Sequence, residues 1–146
     1  MAQTQSAAFS FKDYKFTNVN VDFKKAEALE GLNINFSPCG VYDPESGIFS
    51  MQLVFTASDE KGDAKVIEIE CHATFRFKVA CRFEELPDYF FVNSTAILYP
   101  YIRAFVSTLT LLANYPPIVL PTFNVAGLGK ELQQNTTVRT EPDARP

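Results

Sequence analysis

The sequence contains no tryptophan, one histidine, two methionines and three cysteines in 146 residues. Each shortage removes a class of chemistry. A single histidine excludes the paired-histidine motif of a zinc protease. His72 itself falls among Glu70, Thr74 and Arg76 on the polar side of a predicted strand, and reads as a surface or interface side chain rather than a base. Cys39, Cys71 and Cys81 are few and odd in number, the pattern of a reduced intracellular chain rather than a disulfide scaffold. Cys71 and Cys81 stand about 33 Å apart if their strand is fully extended, so they read as structural and not as a metal pair.

No GxSxG elbow, HExxH pair or Walker loop is present. Gly127-Leu128-Gly129-Lys130 lacks the Gly-rich lead-in, the preceding strand and the following Ser/Thr of a phosphate loop. Glu84 and Glu85 sit in a connector with no partner constellation. The chain is therefore expected not to be an enzyme and to use no cofactor or metal. Basic charge is also scarce: 13 Lys and Arg against 17 Asp and Glu give a net charge of −4. A nucleic-acid footprint needs a clustered basic surface, which this balance argues against. No uninterrupted apolar run approaches the roughly 18–20 residues of a bilayer span, so none is expected. Met1 to Phe11 shows neither a basic region nor a hydrophobic segment of secretory type.

What the chain has in abundance is aromatic rings, fourteen Phe and six Tyr. That number predicts either a large aromatic interface buried on assembly or aromatic surface kept for a partner. The length fits one domain with a real core. Residues 1–8 are small and polar and read as a flexible start, 9–134 as the domain, and 135–146 as a flexible tail.

Strands are predicted where apolar residues alternate: Val19, Val21 and Phe23; Leu32, Ile34 and Phe36; Phe49, Met51, Leu53, Phe55 and Ala57. The clearest alternation runs Ile67, Ile69, Cys71, Ala73, Phe75, Phe77, Val79 and Cys81, with charged or polar residues between. Asp43–Gly47 and Asp59–Asp63 supply turns. Lys24 to Glu30 is charged and reads as a loop, a bulge or a short helical turn.

The period then becomes helical from about Ala96 to Ala113, with Leu98, Ile102, Phe105, Leu109 and Leu112 forming one stripe that Ile97 and Tyr101 widen. Ser94 or Thr95 is expected to cap it, with Pro100 early or at a kink. Arg103 is its one charged residue, so the helix is predicted to be covered on two sides, by its own sheet and by a partner subunit. Tyr115 to Pro121 is a stiff apolar loop, and Thr122 or Asn124 is expected to cap a last helix through Leu132. The resulting fold class is α+β, an antiparallel sheet with two C-terminal helices on one face. The pairing of the first strand stays open at this point.

The run Ile97-Leu98-Tyr99-Pro100-Tyr101-Ile102-Arg103, then Tyr115-Pro116-Pro117, then Leu120-Pro121-Thr122-Phe123-Asn124-Val125, resembles the SecB family of protein-export chaperones in order and spacing. The likeness covers about Phe11 to Leu132 and is weaker in the strands. It implies a four-stranded antiparallel sheet with two helices, assembled as a cytoplasmic dimer of dimers that holds unfolded preproteins for export without ATP. It implies client grooves lined by Tyr115, Pro116, Ile118, Val119 and Leu120, with Phe49, Met51, Phe55, Phe75 and Phe77 on the sheet side. It also implies a docking patch for the translocation motor ATPase at Val66, Glu68 and Glu70. The oligomer interface it implies comprises Ile97, Tyr101, Ile102, Phe105, Leu109 and Leu112. Where the family carries a glycine pair, this chain has His72-Ala73, and His72, Arg76 and Lys78 make that strand end more basic, which counts against the usual motor docking. A dedicated chaperone for one partner such as an antitoxin, or a non-chaperone adaptor on the same scaffold, are the competing readings. No contact with nucleic acid and no membrane insertion are expected.

Overall fold

The structure is a computed structural model that describes residues 8–62, 64–122 and 124–140. Strand β1 spans Phe9–Val21, β2 Asn33–Asp43, β3 Ile48–Ser58 and β4 Lys65–Phe77. Helix α1 spans Asp88–Leu112 and α2 Val125–Gln134, and a short β5 covers Thr136–Val138. The sheet order is β1-β4-β3-β2-β5. The four long strands are antiparallel as the short turns require, and β1 joins the outer side of β4.

The sheet is nevertheless five-stranded and mixed, not four-stranded and antiparallel. Thr136–Val138 leaves α2 and pairs parallel to Gly40–Tyr42, so this part of the expected tail is ordered strand. Three residues with no apolar alternation carry no strand signal. They pair because α2 delivers them to the open edge of β2, where Gly40 N–H donates to Asn135 O (3.2 Å) and Arg139 N–H to Tyr42 O (2.7 Å). Pro38 precedes this stretch of β2, a position tolerable on an edge because proline has no amide to offer. The expected flexible residues 1–7 and 141–146 lie outside the described residues.

β1 is longer than its alternation suggests because two register shifts, at Phe11/Asp13 and Phe16/Asn18, reset its phase. The shifts keep Phe9, Phe11, Tyr14 and Phe16 on one side of the sheet despite their irregular spacing. β4 ends at Phe77. Val79, expected on its packed face, lies in the connector and is 74% exposed.

α1 begins at Asp88, eight residues before the predicted start. Pro87 occupies the cap position without a side-chain cap bond. Ser94 and Thr95 do not cap: both are buried inside the helix, with their hydroxyls donating back to the Phe91 carbonyl (3.2 Å each). The helix continues through Pro100, whose missing amide leaves the Ala96 carbonyl without its i+4 donor. At 25 residues α1 is long and apolar enough to cross a membrane by length and composition alone, although polar residues interrupt its apolar run. Its Leu98, Ile102 and Val106 are fully buried in the core of this domain.

The core is the layer between α1 and one face of the sheet. Phe90 stands at its centre, with ring centroids of Phe9, Phe49, Phe75, Phe77 and Phe91 at 4.7–5.6 Å, mostly edge-on or tilted. Such offset geometry is favourable for aromatic quadrupoles. α2, capped by Asn124 through Gly127 N–H (3.3 Å), packs on α1 so closely that a Cβ at Gly129 would sit 2.8 Å from the Val92 backbone.

Candidate functional site

The site is built by the two irregular segments. After α1, Asn114 adopts a left-handed conformation (φ 68°) and Tyr115 N–H returns to the Thr110 carbonyl (3.0 Å), a helix-terminating arrangement. Pro116 and Pro117 then prevent the helix from resuming. Opposite, the β1–β2 connection makes a single 3-10 turn at Phe23–Lys25, capped by Asp22 through Lys24 N–H (3.0 Å), and continues irregularly to Leu32. Between these segments lies a groove of about 610 Å³. Tyr115, Pro116, Pro117, Ile118 and Val119 form one wall and Phe23 to Leu32 the other. Ile34, Phe55 and Ala57 form the floor. The rings of Phe23 and Tyr115 meet across one end at 4.5 Å. A second hollow of about 410 Å³ adjoins it, sharing Ala26, Glu27, Ala28, Glu30 and Leu32, and carries Lys25, Asp59, Glu60 and Lys61. The groove is therefore open and more apolar than polar, with Glu27 and Glu30 on the wall formed by the β1–β2 connection.

Of the predicted client-contacting residues, Tyr115, Pro116, Ile118 and Val119 lie together on the groove wall, and Phe55 lies beneath it. Leu120 does not: it is buried in the core. Phe49, Met51, Phe75 and Phe77 are also core side chains, at most 4% exposed, because α1 covers the sheet face on which they stand. The opposite wall, Phe23 to Leu32, was missed by sequence reasoning. Its signal was the set Ala26, Ala28, Leu29 and Leu32 within a stretch dominated by its charges.

The proposed motor patch is divided. Val66 is buried, while Glu68 and Glu70 are half-buried on the sheet face away from α1. Glu68 already accepts a bond from Lys65 Nζ at 2.8 Å. His72 is exposed on the same face, between Lys15 and Gln52 in register.

The expected interface set is also divided. Ile102 belongs to the chain's own core, and Ile97, Phe105 and Leu109 are half-buried against it. Tyr101 is 39% exposed and touches Tyr14 (4.3 Å), and Leu112 is 80% exposed. The outward side of α1 instead presents Tyr89, Asn93, Ala96, Pro100, Arg103, Ala104 and Leu111, with Arg103 as the charge among them.

Among the described residues no group of three or more His, Cys, Asp or Glu could hold a metal. Cys71 is buried, which pushes its thiol up to about 11. Tyr42 is raised as well, first by burial; its hydroxyl donates to the Cys81 carbonyl at 2.6 Å. Both groups serve packing, away from the groove.

The architecture is thus a helix-covered α+β sheet with an open apolar groove between its two longest connections. The chain belongs to the SecB family: the family model described as preprotein translocase subunit SecB matches residues 11–136. An uncharacterized protein of Methanocaldococcus jannaschii, MJ0357, is 32% identical over 120 residues, covering 77% of each chain. Among solved structures, the Mycobacterium tuberculosis SecB-like chaperone Rv1957, in complex with a ChAD peptide from the HigA1 antitoxin Rv1956, shares the fold. Its TM-score is 0.62 at 22% identity, over 80% of this chain and 91% of that one.

Proposed function

We propose that the protein is an ATP-independent holdase that receives unfolded polypeptide segments in the groove between Phe23–Leu32 and Tyr115–Val119. The observation that carries this reading is the groove itself, mainly apolar, open and about 610 Å³, within the usual range for a binding site. Its walls are irregular, proline-fixed or aliphatic, so they select apolar character more than a particular side-chain order. Membership of the SecB family supports the reading. So does the peptide-bound state of the M. tuberculosis neighbour.

No catalytic role is assigned, and the cytoplasmic export function belongs to this proposal. A dimer of dimers would place the charge-poor outward side of α1, with Tyr101 and Leu112, between subunits. Docking to a translocation motor would have to use Glu68 and Glu70, since Val66 is buried. The open groove speaks against an adaptor whose grooves are filled.

The test is suppression of aggregation of a reduced, unfolding client without nucleotide. Val119→Asp, at a side chain 62% exposed on the groove wall, is expected to fold normally and lose suppression. No suppression by the wild-type chain at several-fold molar excess would refute the proposal. A second reading, a chaperone dedicated to one partner, is favoured by the antitoxin peptide bound to the neighbour. Protection of a single client among many unrelated ones would select it.

A further inference from the structure

The apolar loop that walls the groove is fastened to α1 at one residue from both of its backbone sides. Ile118 N–H donates to Thr110 Oγ1 at 2.9 Å. Ser107 Oγ donates to the Ile118 carbonyl at 2.7 Å. Thr110 is fully buried, and its hydroxyl stands 3.1 Å from both the Val106 and the Ser107 carbonyls. Those carbonyls can only accept, so the Thr110 proton is turned into the helix and its lone pair is left facing the loop amide. The two hydroxyls, three residues apart on one helix face, thus have opposite and fixed polarities: Thr110 accepts and Ser107 donates. Further along, Tyr99 Oη donates to the Pro121 carbonyl.

We propose that Ser107 and Thr110 are positioning residues for client binding, a clamp that holds Ile118 and its neighbours as a preformed wall of the groove. The inference rests on the holdase reading and adds to it the device that sets the width of the site. Proline fixes φ at Pro116, Pro117 and Pro121 but supplies no amide to anchor the loop. The amide and carbonyl of Ile118 supply that anchor, and Ile118 itself and the following Val119 line the groove. A wall fixed before the client arrives loses less conformational freedom on binding, so releasing it lowers affinity without removing any apolar contact.

The experiment uses the full chain with Thr110→Val, Thr110→Ser and Ser107→Ala. Hydrogen exchange is followed at the Ile118 amide. Affinity is measured with a fluorescein-labelled ten-residue peptide bearing Leu, Phe and Ile at alternate positions. Thr110→Val keeps the side chain's shape and removes the acceptor. It is expected to speed Ile118 exchange and to weaken the peptide about five-fold, the effect of one ordinary hydrogen bond. Thr110→Ser restores the acceptor and is expected to return both readings to wild type, which a role in packing alone would not do. Ser107→Ala, at a less buried position, is expected to weaken binding in the same direction and serves if Thr110→Val folds poorly. Faster exchange with unchanged affinity, or unchanged exchange in both variants, would overturn the clamp. A wild-type chain that binds no peptide would overturn the holdase reading, and the clamp's role in client binding with it.

Discussion

Phe75→Ala separates two roles that aromatic residues on this sheet could serve. Phe75 is fully buried, and its ring centroid lies 5.3 Å from Phe11, 5.6 Å from Phe90 and 5.9 Å from Phe9. Truncation removes a complete ring from a site enclosed by three others and by α1, which cannot close over the gap without breaking the remaining pairs. A cost of about 3–5 kcal/mol is expected for such a change. Against a total stability of about 5–15 kcal/mol for a domain, that is a large share. For a chain of this length it corresponds to a fall in Tm of roughly 10–20 °C. Affinity for an apolar peptide, measured well below the new Tm, should stay within about two-fold, because Phe75 lies under α1 and not on the groove. Thermal unfolding by circular dichroism and peptide titration on the same sample provide both numbers. Phe75→Leu, with a smaller cost of about 1–2 kcal/mol, serves if the alanine variant does not accumulate folded. An unchanged Tm with lost peptide binding would refute the argument, and would mean that the sheet face opens to the client.

Further expectations concern the helix contact, pH and assembly. Gly127 and Gly129 both lie inside α2, yet a Cβ at 127 would meet Asn124 side-chain atoms no nearer than 3.5 Å, whereas one at 129 would meet Val92 at 2.8 Å. Gly127→Ala should therefore stabilise by about 0.5–1 kcal/mol and Gly129→Ala destabilise by about 1–3 kcal/mol in urea unfolding; equal shifts would contradict the close α1–α2 approach. The buried Cys71 thiol, pushed up to about 11, stays protonated in the folded chain while the unfolded thiol ionises from about 8.5. Its contribution is complete below that lower value and is lost as pH rises towards 11, so stability should fall across this window. The fall should be shallower in Cys71→Ala, and identical slopes would contradict it. Light scattering should find about four times 16.4 kDa for the intact chain, and a monomer would remove the explanation given for the charge-poor side of α1.

Much of the fold was legible because it is written in alternation. Ile67 to Phe77 places hydrophobic residues at every second position, and a half-wet strand is the structure that pattern satisfies. The helix boundary was not legible. Tyr89, Phe90 and Phe91 are consecutive rings after a proline, which gives no 3.6-residue period, and only the packing of Phe90 among the sheet aromatics explains why α1 starts there. β1 was half visible, because two bulges interrupt the alternation while leaving its packed side intact. β5 was invisible, since a three-residue edge strand is held by backbone hydrogen bonds that any residues could make. The groove was half legible for a related reason: prolines mark Tyr115–Pro121 as a loop that cannot be helix, whereas Ala26, Ala28, Leu29 and Leu32 are apolar without a period.

The aromatic excess resolves in a way that alternation could not decide. Periodicity identifies the side of a strand that is apolar, but the same pattern suits a face kept for a partner and a face covered from within. α1 settles the matter for seven of the rings: Phe36, Phe49, Phe55, Phe75, Phe77, Phe90 and Phe91 are all buried, while Phe9, Phe11, Phe16, Phe23, Phe83 and Phe105 are half-buried. Of the groove's lining, only Phe23 and Tyr115 contribute partly exposed rings. Apolar area that is already buried in the folded chain contributes to its stability and cannot be buried again on binding. In the proposed holdase role, client affinity comes from the aliphatic and proline surface of two connecting segments, a smaller area than the composition suggests. Connections between elements are normally the mobile parts of a domain. A site made from them is selective only if they are held, and the hydroxyls of Ser107 and Thr110 hold one of the two walls.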